Sequence, residues 1–147
     1  MTLYELVKQI EEVASAQPSV RLIVENDIYK LNDCADALYG VFAFTQNEHS
    51  TSAESDMITY NFTLFYVDRL LDDESNLIEV QSTAIQVLDN ILSFLNEGGV
   101  TVGDYTFQPF NQRFADICAG VYTNVALLVV KDGDCAEDFD KKEVKVI

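Results

Sequence analysis

The sequence predicts an α+β domain: an antiparallel sheet of about five to six strands with two long helices packed on one face, in the order α-β-β-β-β-α-β-β. Three observations predict it. Residues 3–14 carry apolar side chains at helical spacing, residues 57–70 alternate at strand spacing, and residues 77–95 return to helical spacing before a Gly-Gly stop. A chain of 147 residues has room for one ordinary domain. Residues 1–131 are read as that domain and residues 132–147 as an acidic C-terminal arm.

In the first helix Leu3, Leu6, Val7, Ile10, Val13 and Ala14 share one face, and Glu5, Lys8, Glu11 and Glu12 lie on the solvated side. Thr2 with Glu5 forms a capping box, and Pro18 stops the helix near Ala16. Val20 to Val24 and Ile28 to Leu31 flank the polar trio Glu25-Asn26-Asp27, the pattern of a short hairpin. Residues 39–45 form a third, aromatic strand. Residues 46–56 (QNEHSTSAESD) are eleven polar or small residues in a row, which predicts a long exposed hairpin tip. In the strand that follows, Ile58, Tyr60, Phe62, Leu64 and Tyr66 alternate with Thr59, Asn61, Thr63, Phe65 and Val67. One face is apolar throughout; the other starts polar and turns apolar near its end.

The second helix opens behind Asp72-Asp73-Glu74, with Asn76 and Glu79 spaced as a cap. Its apolar stripe is Leu77, Ala84, Ile85, Leu88, Ile91, Leu92 and Leu95, and Gly98-Gly99 ends it. Two closing strands follow: residues 105–110, where Pro109 should disrupt pairing, and residues 121–131, nearly continuously apolar.

Composition excludes several function classes. With nine Lys plus Arg against 25 Asp plus Glu, the net charge is −16. A nucleic-acid binder needs a basic stripe on the phosphates, and an anionic membrane surface would repel such a chain. Hydrophobic residues make up 48%, enough to fill a core. No apolar run reaches the roughly 18 residues of a membrane span, and Met1 to Glu5 has no signal-peptide pattern. Cys34, Cys118 and Cys135, odd in number and widely spaced, predict a reducing compartment with no disulfide framework.

No motif carries catalytic chemistry. His49 is the single histidine, flanked by Glu48 and Ser50, so neither a triad nor a His-based metal site can be completed around it. The cysteines lack a C-x-x-C pair and read as buried small hydrophobes. The glycines at 98, 99 and 103 follow a helix and lack a Gly-Lys-Ser/Thr, so they make a turn and not a phosphate loop. Asp132, Asp134, Glu137, Asp138 and Asp140 lack the Gly and terminal Glu of a calcium loop. Asn61-Phe62-Thr63 is a formal glycosylation sequon inside a strand, read as accidental. The expectation is no catalytic residue, no cofactor and no metal.

The order of elements, and above all residues 58–67 running through Asp72-Asp73 into the helix from Asn76, resembles the tail-terminator, tail-completion and head–tail joining proteins of tailed bacteriophages. The segment Tyr105-Thr106-Phe107-Gln108-Pro109-Phe110 to Val130 is similar to virion proteins of phages of gut Bacteroidetes, including crAss-like phages. The resemblance covers residues 1–131 as a pattern, without an invariant motif. It implies a structural virion protein, not an enzyme. Such a protein forms a homo-oligomeric neck or tail ring, a hexamer or a dodecamer, contacts other neck or tail proteins and lines the passage for double-stranded DNA without binding it specifically. Its place would be the virion, after synthesis in the bacterial cytoplasm, with no membrane partner.

Two further readings stand beside it: a non-enzymatic acidic interaction domain of a bacterial host, and a small-molecule-binding or enzymatic α+β domain. On the ring reading, Gln46, Glu48, His49, Glu54 and Asp56 form a candidate subunit-contact loop. Val144, Lys145, Val146 and Ile147 form a candidate arm that adds to a neighbour's sheet edge, since Glu143 to Ile147 alternates at strand spacing and ends apolar.

Overall fold

The computed structural model of the chain describes residues 1–26, 40–113, 117–132 and 145–147. Helix α1 (Leu3–Ser15) starts where its sequence dictates: the Thr2 hydroxyl accepts the Glu5 N–H at 3.2 Å. It buries Leu6, Ile10 and Ala14 completely, each of the two larger side chains contributing about 1.5–3 kcal/mol by leaving water. Helix α2 (Leu77–Glu97) buries Val80, Ala84, Val87, Leu88, Ile91, Leu92 and Leu95. Ile85, expected in this stripe, is 41% exposed; Val80 and Val87 face inward in its place. The helix closes as a Schellman turn. Gly99 takes φ +92°, the Val100 N–H reaches back to the Leu95 carbonyl at 3.1 Å, and Val100 is buried.

Asn76 does not cap α2 with its side chain. Its oxygen accepts the Leu71 N–H at 2.9 Å and its amide donates to the Arg69 carbonyl at 3.3 Å. The side chain closes the turn that leaves the preceding strand.

The six strands are β1 (Leu22–Glu25), β2 (Val41–Gln46), β3 (Met57–Arg69), β4 (Thr101–Val102), β5 (Gln108–Arg113) and β6 (Ile117–Val130), giving the order α-β-β-β-α-β-β-β. They form one sheet, β1-β2-β3-β6-β4, with β5 also on β6. The predicted class holds: α+β, two helices on one face of a six-stranded, mostly antiparallel sheet. The sheet is mixed because β1 pairs with β2 in parallel, Leu22 opposite Val41. A parallel pair needs a connection of about a dozen residues or more, and fifteen residues of sequence separate Glu25 from Val41. The expected return strand at 28–31 lies outside the described residues.

The spine is the β3–β6 ladder, which runs unbroken from Met57↔Val130 to Arg69↔Cys118. It places Tyr60, Phe62, Leu64 and Tyr66 beside Leu127, Val125, Thr123 and Val121 under the helices. Phe42 and Phe44 extend this layer on β2. Pro109, expected to disrupt pairing, sits within β5 opposite Val121. Among the described strands β5 pairs with β6 alone, so the missing N–H of Pro109 falls on the outer side of an edge strand.

Candidate assembly surface

The alternation that buries Tyr60, Phe62 and Leu64 turns Thr59, Asn61 and Thr63 to the face opposite α1 and α2. The β6 register sets Leu128, Ala126 and Asn124 beside them, and Thr45 and Asn47 continue the row from β2. Hydrogen bonds tie the row together. The Asn47 amide donates to the Thr63 hydroxyl at 2.9 Å, that hydroxyl donates to the Asn124 oxygen at 2.5 Å, and the Asn61 amide donates to the Glu48 carbonyl at 2.7 Å.

These eight side chains carry no charge, in a chain of net charge −16. The helical side, by contrast, exposes Glu5, Glu12, Glu79, Asp89 and Glu97. Toward the other end of the face opposite α1 and α2 the sheet turns apolar. Val24, Val41, Ala43, Val67 and Cys118 are buried there. Phe65, Phe110 and Tyr122, half-buried, stack around one another at 5.8–6.4 Å.

The loop over residues 46–56, which composition alone reads as a projecting tip, lies along β3 in its first half. The Asn47 N–H bonds the Asn61 carbonyl at 2.8 Å, and Ser50 bridges Thr59. His49 Nδ1 accepts the Asn61 N–H at 3.1 Å, which places the ring proton on Nε2, 3.0 Å from the Gln46 oxygen. The ring also packs on Tyr60 and Phe62. Gln46 and His49 are thus brought together, with the Glu48 carbonyl beside them on Asn61. Glu54 lies in the exposed far turn, and the Asp56 carbonyl accepts the Lys131 N–H at 2.7 Å. Of the candidate arm, Val144 lies outside the described residues, while Lys145, Val146 and Ile147 are exposed.

His49 therefore substitutes for a strand partner. His49→Ala is expected to lower stability by about 1–2 kcal/mol through the orphaned Asn61 N–H. Denaturant titration and faster hydrogen exchange at the Asn61 amide are the readouts.

A scan against protein-family models and a search of curated proteins find no match to this chain.

A second polar group joins the start of β2 to the end of β3. Gly40, at φ +63°, lies so close to Ser19 that an added Cβ would stand 2.0 Å from its carbonyl oxygen. The Tyr66 hydroxyl donates to the same carbonyl at 3.4 Å. Burial, then the nearby Asp68 charge, push the Tyr66 phenol up to about 12. These residues, with Arg21 and Thr83, line a pocket of about 270 Å³.

Burial also raises the Asp68 carboxyl above its ordinary range, although the Arg69 and Gly40 N–H groups oppose the shift. Between the unfolded and the raised folded pKa the native state holds the extra proton. Stability therefore falls as pH rises through that window and stays lower above it. Asp68→Asn, which mimics the protonated form, is expected to melt higher than the parent at pH 7, with the gap closing as pH drops through the window. A gap that persists unchanged in acid would exclude Asp68 as its source.

Among the described residues, no group of three or more His, Cys, Asp or Glu side chains is gathered as for a metal ion, and no helix is long and apolar enough to cross a membrane. The uncharged row is the feature that sequence reading missed. Thr59, Asn61 and Thr63 were visible as one face, but Asn124, Ala126 and Leu128 join them only through the register of β6.

Proposed function

We propose that this chain is a structural, non-enzymatic subunit that assembles with copies of itself into a ring, six- or twelve-fold, in the neck or tail of a tailed bacteriophage. The observation that carries the reading is the uncharged row on the sheet face opposite α1 and α2. Copies this acidic repel one another over most of their surface, and the cores of protein interfaces are depleted of charge. A flat, amide- and hydroxyl-bearing strip is where another copy can approach without burying a carboxylate. The phage setting comes from the resemblance of the element order to tail-terminator and head–tail joining proteins. The acidity supports it as well: a wall that repels phosphates lets a duplex pass, whereas a basic lumen would retain it.

The acidic helical side would equally serve a monomeric host domain that docks on a basic partner, and mass separates the two. Light scattering over a wide concentration range is expected to show a ring-sized multiple of the 16.5 kDa chain, with closed rings in electron images. Rings of this kind can need a partner as template, so assembled particles decide the case of a monomer in solution. Particles in which no copy touches another would defeat the proposal.

A further inference from the structure

On the helical side, α1 and the C-terminal end of α2 leave an open groove of about 710 Å³. Gln9 crosses its floor to the Gly98 carbonyl at 3.3 Å. Its walls hold two exposed aromatic rings, Tyr4 at 70% and Phe94 at 52% exposure. Glu5 and Glu12 stand on the rim. The one basic side chain of the lining, Lys8, is engaged: it lies 5.3 Å from the Tyr4 ring centre and 3.5 Å from Glu11. The groove is therefore apolar with an acidic edge.

The same chain carries the matching chemistry. Lys141, Lys142 and Lys145 are three of its nine basic residues; against Glu143 they leave residues 141–147 a net side-chain charge of 3 − 1 = +2, interleaved with Val144, Val146 and Ile147. Val146 and Ile147 are 90% and 110% exposed. A basic segment ending in two bare aliphatic side chains fits a groove with bare aromatic walls and two carboxylates. In a chain of net charge −16, no other stretch as short concentrates three lysines.

We propose that the groove between α1 and α2 receives the Lys145-Val146-Ile147 segment of a second copy. Val146 and Ile147 lie against Tyr4 and Phe94, and the lysines face Glu5 and Glu12. This deepens the ring reading and rests on it for the identity of the occupant. An arm seated in a neighbour's groove is directional, because each copy gives one arm and offers one groove. A repeated contact of that kind closes into a ring, whereas a self-complementary patch closes as a pair. It also replaces addition to a sheet edge as the seat of the arm.

The test is fluorescence anisotropy of a labelled synthetic peptide, residues 141–147, titrated with the full chain. Saturable binding is expected. Phe94→Ala should weaken it at least tenfold, and raised salt should weaken it further. The double variant Glu5→Lys, Glu12→Lys should lose the native peptide but bind one in which the three lysines are glutamates. Circular dichroism melting of each variant checks that the fold persists, which the exposure of the altered side chains favours. A peptide that does not bind the full chain up to millimolar concentration overturns the groove. So does binding that Phe94→Ala and the charge reversal leave unchanged, since that places the segment elsewhere, such as a sheet edge. The outcomes separate from those of the ring reading: rings without peptide binding remove the groove alone, and peptide binding by a chain that never assembles removes the ring alone.

Discussion

Gly120→Ala is expected to destabilise the fold by about 3 kcal/mol, a fall of about 6–12 °C in melting temperature. Gly120 lies on β6 opposite Val67, the third pair from one end of the longest ladder. A Cβ built there stands 1.9 Å from the Tyr66 carbonyl oxygen, 2.9 Å from its carbon and 3.1 Å from the Val67 Cα. All three are backbone atoms of β3, so no change of rotamer relieves the clash. Nor can β3 move aside freely: Val67 and Tyr66 are almost wholly buried, and the Tyr66 hydroxyl is tied to Ser19. Relief requires the two central strands to separate where β5 also pairs with β6. Gly103→Ala provides the comparison. Its added Cβ meets the Ala126 carbonyl oxygen at 3.3 Å and the Ala126 methyl at 3.4 Å, near the start of ordinary contact. That variant should cost under about 1 kcal/mol. Equal urea midpoints for the two variants would show that the β3–β6 contact at Gly120 is looser than the geometry states.

How far such features could be read from the sequence depends on how local their causes are. Helix α1 was legible to the residue, because Thr2, Glu5 and the apolar spacing act within a few positions of one another. The end of α2 at Gly98-Gly99 was legible for the same reason. Its start was not. Asn76 has the right type and spacing for a cap, but the Leu71 N–H and the Arg69 carbonyl compete for its side chain, and that competition depends on where β3 ends. Pro109 was misjudged because its cost depends on whether a neighbour lies on its far side, a property of strand order. The loop over 46–56 looked like a free tip because it is polar, yet its polar groups find partners on β3, with His49 serving the Asn61 backbone. Of the candidate surface, the β3 half was present as an alternating pattern. The β6 half needed the register.

Asn124→Asp is expected to leave the monomer's stability within about 0.5 kcal/mol of the parent and to weaken self-association about a hundredfold. The side chain is exposed, and its role within the chain is to accept the Thr63 hydroxyl at 2.5 Å. An aspartate keeps an oxygen at that place, so the Asn47–Thr63–124 chain of hydrogen bonds survives. What changes is one negative charge in the middle of a row that has none. In the free subunit that charge is solvated and costs little. In an assembly through this face it must be stripped of water opposite a partner that is itself strongly acidic. A penalty of about 3 kcal/mol for such a group corresponds to about two orders of magnitude in the association constant. Ser82→Asp adds the same charge on the exposed outer side of α2 and controls for net charge alone. It is expected to assemble as the parent does. Sedimentation velocity over a concentration series, with thermal melts of each variant, gives both quantities. If Asn124→Asp assembles with an unshifted midpoint, the uncharged row is an ordinary solvent face; if Ser82→Asp weakens assembly as much as Asn124→Asp does, net charge and not the row is the cause.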